Sequence, residues 1–282
     1  MKDKVVVQVP ATTANLGPGF DALGIALNIH NRLVIKKNNS SPPAADTMIS
    51  EAGDAFFSAL HEKPFPFSCE IEGPVPRSRG LGSSVTVRLG VLLGLNNLIS
   101  APLSIEQLYK ICAKLEGHPD NAAPAAFGGF TVARGDFEIQ RFEVLPHLHF
   151  VLLVPDFEVQ TSRAREKMPL SVPLKAAALS VANAAWITAA FASQDYAALR
   201  GGFEDGLHQP YRTPLVPFLN DVIRAAEANG ALGGWLSGSG STIICLTLDH
   251  PDRVAHAMQR AVPRNSFVLQ TVADNQGACL IS

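Results

Sequence analysis

Charge is scarce in this sequence. Of its 282 residues, 17% are Asp, Glu, Lys or Arg, against roughly 25% in ordinary soluble domains. Neither sign dominates, since 23 basic and 25 acidic side chains leave a formal net charge of −2. That balance argues against a nucleic-acid or polyanion binder, whose footprint is a basic face. Aromatic residues are few as well, at 7%. Cys69, Cys112, Cys245 and Cys279 are far apart, with no CxxC or Cys/His pairing. This excludes a zinc-finger framework and a disulfide scaffold and leaves the reduced thiols of a cytoplasmic protein. The eight histidines lack HExxH spacing, so a metal cage of that kind is excluded. No apolar core of roughly 7–15 residues with a small-residue cleavage site follows Met1, so no signal peptide is expected.

What is abundant is small and apolar. AVILMFWYC makes up 47% of the chain, enough for a large core and incompatible with global disorder. At roughly 150 residues per domain, the length suits two domains. Pro155 is the expected boundary, giving domains 1–155 and 156–282. The stretch from Ala176 to Gln194 carries no charge and approaches the length of a membrane span. It is mostly alanine, however, with Ser180, Asn183, Thr188 and Ser193 spread through it, and reads as a buried helix of a soluble protein.

Strands are expected at 4–9, 32–37, 68–72, 130–133, 149–154, 242–247 and 267–272. Helices are expected at 48–61, 83–98, 104–116, 173–193, 195–204, 215–228 and 251–261, with Ser104 as an N-cap and 38–46 as loop. Strands and helices mix without strict βαβ alternation, which favours an α+β fold.

Two segments carry the chemistry. Pro76-Arg77-Ser78-Arg79-Gly80-Leu81-Gly82-Ser83-Ser84 sits between a strand and a helix. Its glycines allow close backbone approach, and the free N–H groups of the helix start favour an anion such as a triphosphate. The serine hydroxyls suit either a helix cap or a hard cation such as Mg²⁺. An ordinary Gly-Ser helix cap would look the same, and no Lys follows the glycines as in GxxxxGK[ST]. The second segment, Glu116-Gly117-His118-Pro119-Asp120-Asn121, ends a helix beside an Ala/Gly-rich run. Glu116 could complete a Mg²⁺ site, while Gly117 as a C-cap before a solvated Asp-Asn turn is equally compatible.

The opening motif is Pro10-Ala11-Thr12-Thr13-Ala14-Asn15-Leu16-Gly17-Pro18-Gly19-Phe20-Asp21. With it the sequence resembles the homoserine kinases of the GHMP kinase superfamily, whose opening PATSANLGPGFD differs only at Thr13. Their PxxRGLGSSxA appears at 76–84, with Val85 and Thr86 where small residues usually stand, and EGHPDNxAPAxxGG is unbroken from Glu116 to Gly129. Thr161-x-x-Ala164-Arg165-x-x-Met168-Pro169 and His208-Gln209-Pro210-Tyr211-Arg212 are similar to TxxARxxLP and HxPYR. Gly238-Ser239-Gly240-Ser241-Thr242 stands for the usual GxGPT, with Ser241 in place of proline.

The resemblance implies a two-domain GHMP kinase fold. Its N-terminal, ATP-binding domain would be like domain 2 of ribosomal protein S5, and its C-terminal domain ferredoxin-like. It implies ATP and L-homoserine as substrates, Mg²⁺ as cofactor, and neither a nucleic-acid nor a membrane partner; homodimers are common in the family. Carried over residue by residue, Pro76, Arg79, Gly80, Leu81, Gly82, Ser83 and Ser84 would hold the ATP phosphates, with Ser84 and Glu116 on the metal. Asn15, Asp21, His118, Asn121, Arg165 and Arg212 would surround homoserine. Asn121 and Glu116 would serve the transfer itself. Asp120 is the tempting base, yet the pattern puts the amide of Asn121 at the hydroxyl, so Asp120 is expected to be supporting. Another amino-acid-like alcohol is the alternative substrate. A non-catalytic nucleotide-binding homologue is the alternative class, to which Ser241 and Met168 lend slight support.

Overall fold

The computed structural model describes residues 3–38, 46–100, 102–262 and 265–281. β1 (Lys4–Ala14) opens with alternating burial, Val5, Val7 and Val9 facing inward, and then becomes buried on both sides. β2 (Leu23–Lys37) pairs with it antiparallel along nearly its whole length. α1 (Thr47–Leu60) starts where the Asp46 carboxylate accepts from the Met48 N–H. β3 (Phe67–Glu72) pairs with the far half of β2, and the glycine loop then leads into α2 (Ser83–Leu98). α3 (Ile105–Glu116) is fixed by a Ser104–Gln107 capping box and ends on left-handed Gly117, as its sequence signals indicated. α4 (Ala122–Phe127), β4 (Phe130–Ala133) and β5 (Ile139–Phe142) complete the first half.

β6 (His149–Pro155) begins a second sheet. It is followed by α5 (Thr161–Glu166), α6 (Leu174–Ser193), α7 (Gln209–Arg212) and α8 (Leu219–Glu227). β7 (Gly233–Leu236), β8 (Ile243–Thr247), α9 (Pro251–Arg260) and β9 (Ser266–Thr271) follow, and β10 (Cys279–Ile281) ends the described chain. The first sheet runs β10-β1-β2-β4-β5 with β3 also on β2, and the second runs β7-β8-β6-β9.

β6 shows why its sequence is apolar at every position from Phe150 onward. Phe150, Leu152 and Val154 join the core shared with the first sheet, while Val151 and Leu153 join the core beneath α8 and α9. A strand buried on both faces has no polar side to display. The shared core also holds Ile25 and Phe130 from the first sheet, Trp235 from the second and Phe191 from α6. A third core packs α1–α4 on the outer face of the first sheet.

Several expectations need correction. A division at Pro155 does not follow the sheets: β6 is an inner strand of the second sheet, and β10 returns to pair with β1 of the first. α6 is not a buried helix, because only Ser180, Ile187, Ala190 and Phe191 are buried while Leu174, Val181 and Trp186 are exposed. Alanine burial needs little space, so a narrow stripe suffices to seat it. The helix expected at 195–204 is a single 3₁₀ turn, Tyr196–Leu199, and the one expected from 215 begins at Leu219 after another 3₁₀ turn, Thr213–Leu215. β2 begins nine residues earlier than expected, at Leu23 rather than Arg32. β5, β7, β10, α4 and α5 carried too little periodic signal to be read. Of the expected loop 38–46, residues 39–45 lie outside the described residues. The four cysteines are unpaired, as expected, and burial pushes the Cys69 thiol up to about 12.

Phe130 stacks on Phe191 with ring centroids 4.3 Å apart, joining the first sheet to α6. Both rings are buried. Replacing Phe191 with Ala is expected to destabilise the protein by about 3–5 kcal/mol, read from the urea midpoint of the folded chain.

Candidate active site

Three glycine-rich segments meet where the two sheets abut. The Thr12 N–H bonds the Leu81 carbonyl at 3.2 Å, Thr242 N–H the Arg79 carbonyl at 3.2 Å, and Gly238 N–H the Ala14 carbonyl at 3.3 Å. The Ser237 hydroxyl lies 2.6 Å from the Gly80 carbonyl oxygen. Gly80 is left-handed (φ +74°), and a Cβ there would stand 2.0 Å from the Ser237 carbonyl oxygen. Only glycine permits this approach. The junction floors a cavity of about 580 Å³ whose walls come from both halves of the chain.

At one end lies the start of α2. Its N-cap is left-handed Gly82, and no side chain caps it, so its first N–H groups keep the anion-binding character of a helix start. An ordinary Gly-Ser cap is therefore not what the serines form. The Ser84 hydroxyl instead donates to Glu116 Oε2 at 2.8 Å, while Arg88 holds Oε1 at 2.5 Å. Gly80, Gly82, Ser83 and Ser84 line the cavity; Pro76, Arg79 and Leu81 do not. The Arg79 Nε–H donates to the Pro155 carbonyl at 3.0 Å, with Nη1 3.4 Å from Glu158, and Leu81 is buried in the shared core. These three shape the loop rather than face the cavity. Met48, Ile71, Val75 and Val87 add apolar wall beside the loop.

At the other end stand Asn15, Asp21, His118, Asp120, Asn121, Arg165 and Arg212, all lining the same cavity. Asp21 and Arg165 form a two-pronged ion pair, at 2.9 and 3.2 Å. The side-chain Oδ1 of Asn15 accepts from the Asp21 N–H at 3.0 Å, and its Nδ2 donates to the Gly238 carbonyl at 3.2 Å. Thr12 donates to the Asn121 Oδ1 at 2.7 Å, so the amide nitrogen of Asn121 is left as a donor. His118 Nδ1 bonds Asp120 Oδ1. Burial works against protonation of His118, but the Asp120 carboxylate outweighs it and holds the ring above its ordinary pKa. Ligand atoms of Asp21, His118 and Asp120 lie within 4.8 Å of one another, with Asp21 already paired to Arg165 and Asp120 to His118.

Arg212 is buried, donates to the Gly238 carbonyl at 3.0 Å, and leaves its Nε without a partner. Burial, with the nearby Arg165 charge, draws its pKa down to about 10. Phe20 lies beneath both arginines, with its centroid 5.1 Å from Arg212 and 5.6 Å from Arg165. His208 is fully buried, stacks on Phe20, and bonds the Gly17 carbonyl at 2.7 Å. Burial pushes its pKa down to about 4. The neutral ring therefore donates through Nε2 to Gly17. Its Nδ1 is the acceptor facing Arg212 Nη1, 3.4 Å away.

The chain thus brings together all six residues expected around the substrate. Thr12, Phe20, His208 and Arg88 carried no assigned role from the sequence. Thr12, Phe20 and His208 lie inside motifs already noted, and Arg88 follows Ser84 by one helical turn, a spacing that could have signalled it. Ser241 is buried and its hydroxyl donates to the Phe157 carbonyl at 2.6 Å, so the third glycine segment keeps its place without proline.

Comparison with known proteins follows the same outline. Residues 44–129 match the family described as GHMP kinases N terminal domain, and residues 187–264 match GHMP kinases C terminal. A homoserine kinase of Halothermothrix orenii is 36% identical, over 97% of this chain and 95% of that protein. One from Moorella thermoacetica is 36% identical over 98% and 99%. The crystal structure of a homoserine kinase from Cytophaga hutchinsonii superposes with a TM-score of 0.91 at 26% identity, covering 100% of this chain and 98% of that one.

The buried His208 gives stability a defined pH dependence. Its pKa is about 4 in the folded chain and 6.5 when free, so between those values only the unfolded state takes up the proton. Stability should fall on acidification from pH 6.5 towards 4, by up to ~1.4 kcal/mol per pH unit from this group. His118, raised in the folded state, gives a contribution of the opposite sign that is lost as pH rises above 6.5, and because parent and variant share it, it cancels from their comparison. Urea unfolding at pH 7, 6 and 5 is expected to show a shallower decline for His208→Gln than for the parent; equal slopes would mean that His208 is not held neutral.

Proposed function

This chain belongs to the homoserine kinase family of the GHMP kinases, and we propose that it transfers the γ-phosphoryl group of ATP to the side-chain hydroxyl of L-homoserine. The products would be ADP and O-phospho-L-homoserine, a step of threonine biosynthesis. The observation that carries this reading is one cavity in which an uncapped helix start faces a cluster holding Asp21 and two arginines, with Asp120 already paired to His118. An anion belongs at the first, and a zwitterionic amino acid at the second.

The loop at Gly80–Ser84 would cradle the phosphates, and the apolar wall of Met48, Ile71, Val75 and Val87 would take adenine. Ser84 Oγ and Glu116 Oε2, 2.8 Å apart, are the hard oxygen donors that Mg²⁺ prefers, so these residues fit the metal. Bound there, Mg²⁺ would neutralise charge on the phosphate oxygens.

The homoserine ammonium suits Asp21 and its carboxylate suits the guanidinium forks of Arg165 and Arg212. In the substrate-free chain Asp21 and Arg165 satisfy each other, so the amino acid would enter by sharing that pair. The free amide N–H of Asn121 would direct the hydroxyl oxygen, and an amide cannot act as a base. Phosphoryl transfer rests mainly on positioning and electrostatics, which this arrangement supplies. Asp120, occupied by His118, would keep that ring charged and oriented. A cytoplasmic homodimer is part of the same proposal, on family grounds.

ADP release measured with homoserine, serine, threonine, mevalonate and shikimate tests the reading. Homoserine is expected to be the preferred acceptor, and ATP binding without turnover on any acceptor would overturn it. Arg165→Ala and Arg212→Ala are each expected to weaken homoserine use about 10- to 150-fold, from ~1.5–3 kcal/mol per charged hydrogen bond. The KM for ATP should stay near its original value; equal losses for both substrates would contradict the assignment.

A further inference from the structure

Among the described residues Arg88 is the one guanidinium in contact with the Ser84–Glu116 pair. It lies one turn after Ser84 on the same face of α2, with a side chain 16% exposed. Nη1 holds Glu116 Oε1 at 2.5 Å, and Nη2 holds Glu51 Oε2, on α1, at 2.8 Å. Its buried Nε has no partner. The Glu116 side chain is 7% exposed, and a carboxylate that deep needs a countercharge. Arg88 supplies one without any metal.

We propose that Arg88 acts as the resident cation of this site and makes divalent-metal binding depend on nucleotide. It rests on the preceding placement of Mg²⁺ at Ser84 and Glu116. In the nucleotide-free chain an arriving cation would find one hydroxyl and one carboxylate oxygen, with a fixed positive charge on the other oxygen of that carboxylate. Attraction to Glu116 is then largely offset by repulsion from Arg88. Phosphates change the sign of the balance. They bring several negative charges that favour both the metal and the guanidinium, and they supply the oxygens that Mg²⁺ takes from a substrate. Glu51, Arg88 and Glu116 together carry a net charge of −1, and removing the guanidinium makes it −2, a cation trap. Arg88 is on this view a positioning residue that also keeps the empty pocket from filling with metal.

Mn²⁺ binding to the full chain, followed by electron paramagnetic resonance, reads this without recourse to activity. In the absence of nucleotide, Arg88→Gln is expected to bind Mn²⁺ at least about tenfold more tightly than the parent. The gain should vanish in Arg88→Gln/Glu116→Gln, and ADP should restore tight binding to the parent. An Arg88→Gln chain that binds Mn²⁺ no better than the parent overturns the proposal. A gain that survives Glu116→Gln places the cation elsewhere, at Asp21, His118 and Asp120, and overturns the metal assignment beneath it as well. Should Arg88→Gln fail to fold, Glu51→Gln serves in its place. It leaves the Arg88 charge to Glu116 alone and is expected to weaken ADP-supported Mn²⁺ binding several-fold; unchanged binding there counts against the proposal.

Discussion

The contact between the Gly80 backbone and Ser237 is the constraint on which the rest of the site depends. The loop before α2 and the turn after β7 approach so closely that a methyl group on Gly80 would overlap the Ser237 carbonyl oxygen. A second glycine, Gly82, packs as closely on Thr12. Thr12 in turn orients the Asn121 amide. One glycine loop therefore positions a helix start, an amide donor and the opposing turn at once. The cost of that approach is borne by glycines, because no other residue combines a left-handed backbone with the absence of a Cβ.

The second organising feature is that the pocket neutralises itself when empty. Asp21 pairs with Arg165, Glu116 with Arg88, and Asp120 with His118. Among the described residues Arg212 has no carboxylate partner; it lies over Phe20, beside a histidine that burial keeps uncharged. Buried ionic groups are costly unless paired, so a chain poor in charge spends several of its few charges within one cavity. Ligands then act by exchange, each substrate group replacing or sharing a partner already held in place. Preorganisation of this kind reduces the reorganisation needed at the moment of transfer.

Legibility from sequence followed the locality of the signal. The N-cap at Ser104, the C-cap at Gly117 and the opening strand β1 are set by neighbours a few residues away, and all could be read. So could the glycine loop and the acid/amide cluster, whose chemistry is compressed into short segments. β7 and β10 could not. Both are short, β7 with two glycines in four residues and β10 paired to distant β1, so nothing in their own residues distinguishes them from loop. α6 misled for a related reason, since an uncharged alanine-rich run looks the same whether one stripe or its whole surface is buried.

The scarcity of charge and the near balance of sign were set by composition and argued against a basic nucleic-acid-binding face before any fold was known. Resemblance of short motifs to those of the homoserine kinases determined which residues were candidates, because each motif keeps its groups within a few residues of one another. Partnership was decided only in three dimensions. Arg79 and Arg88 are both arginines near one glycine loop, yet the first braces the end of β6 and the second grips Glu116. The one-turn spacing from Ser84 puts Arg88 on the right face of α2, but the first arginine faces the second sheet and the second faces α3, and only the packing of those elements determines which guanidinium meets the cavity.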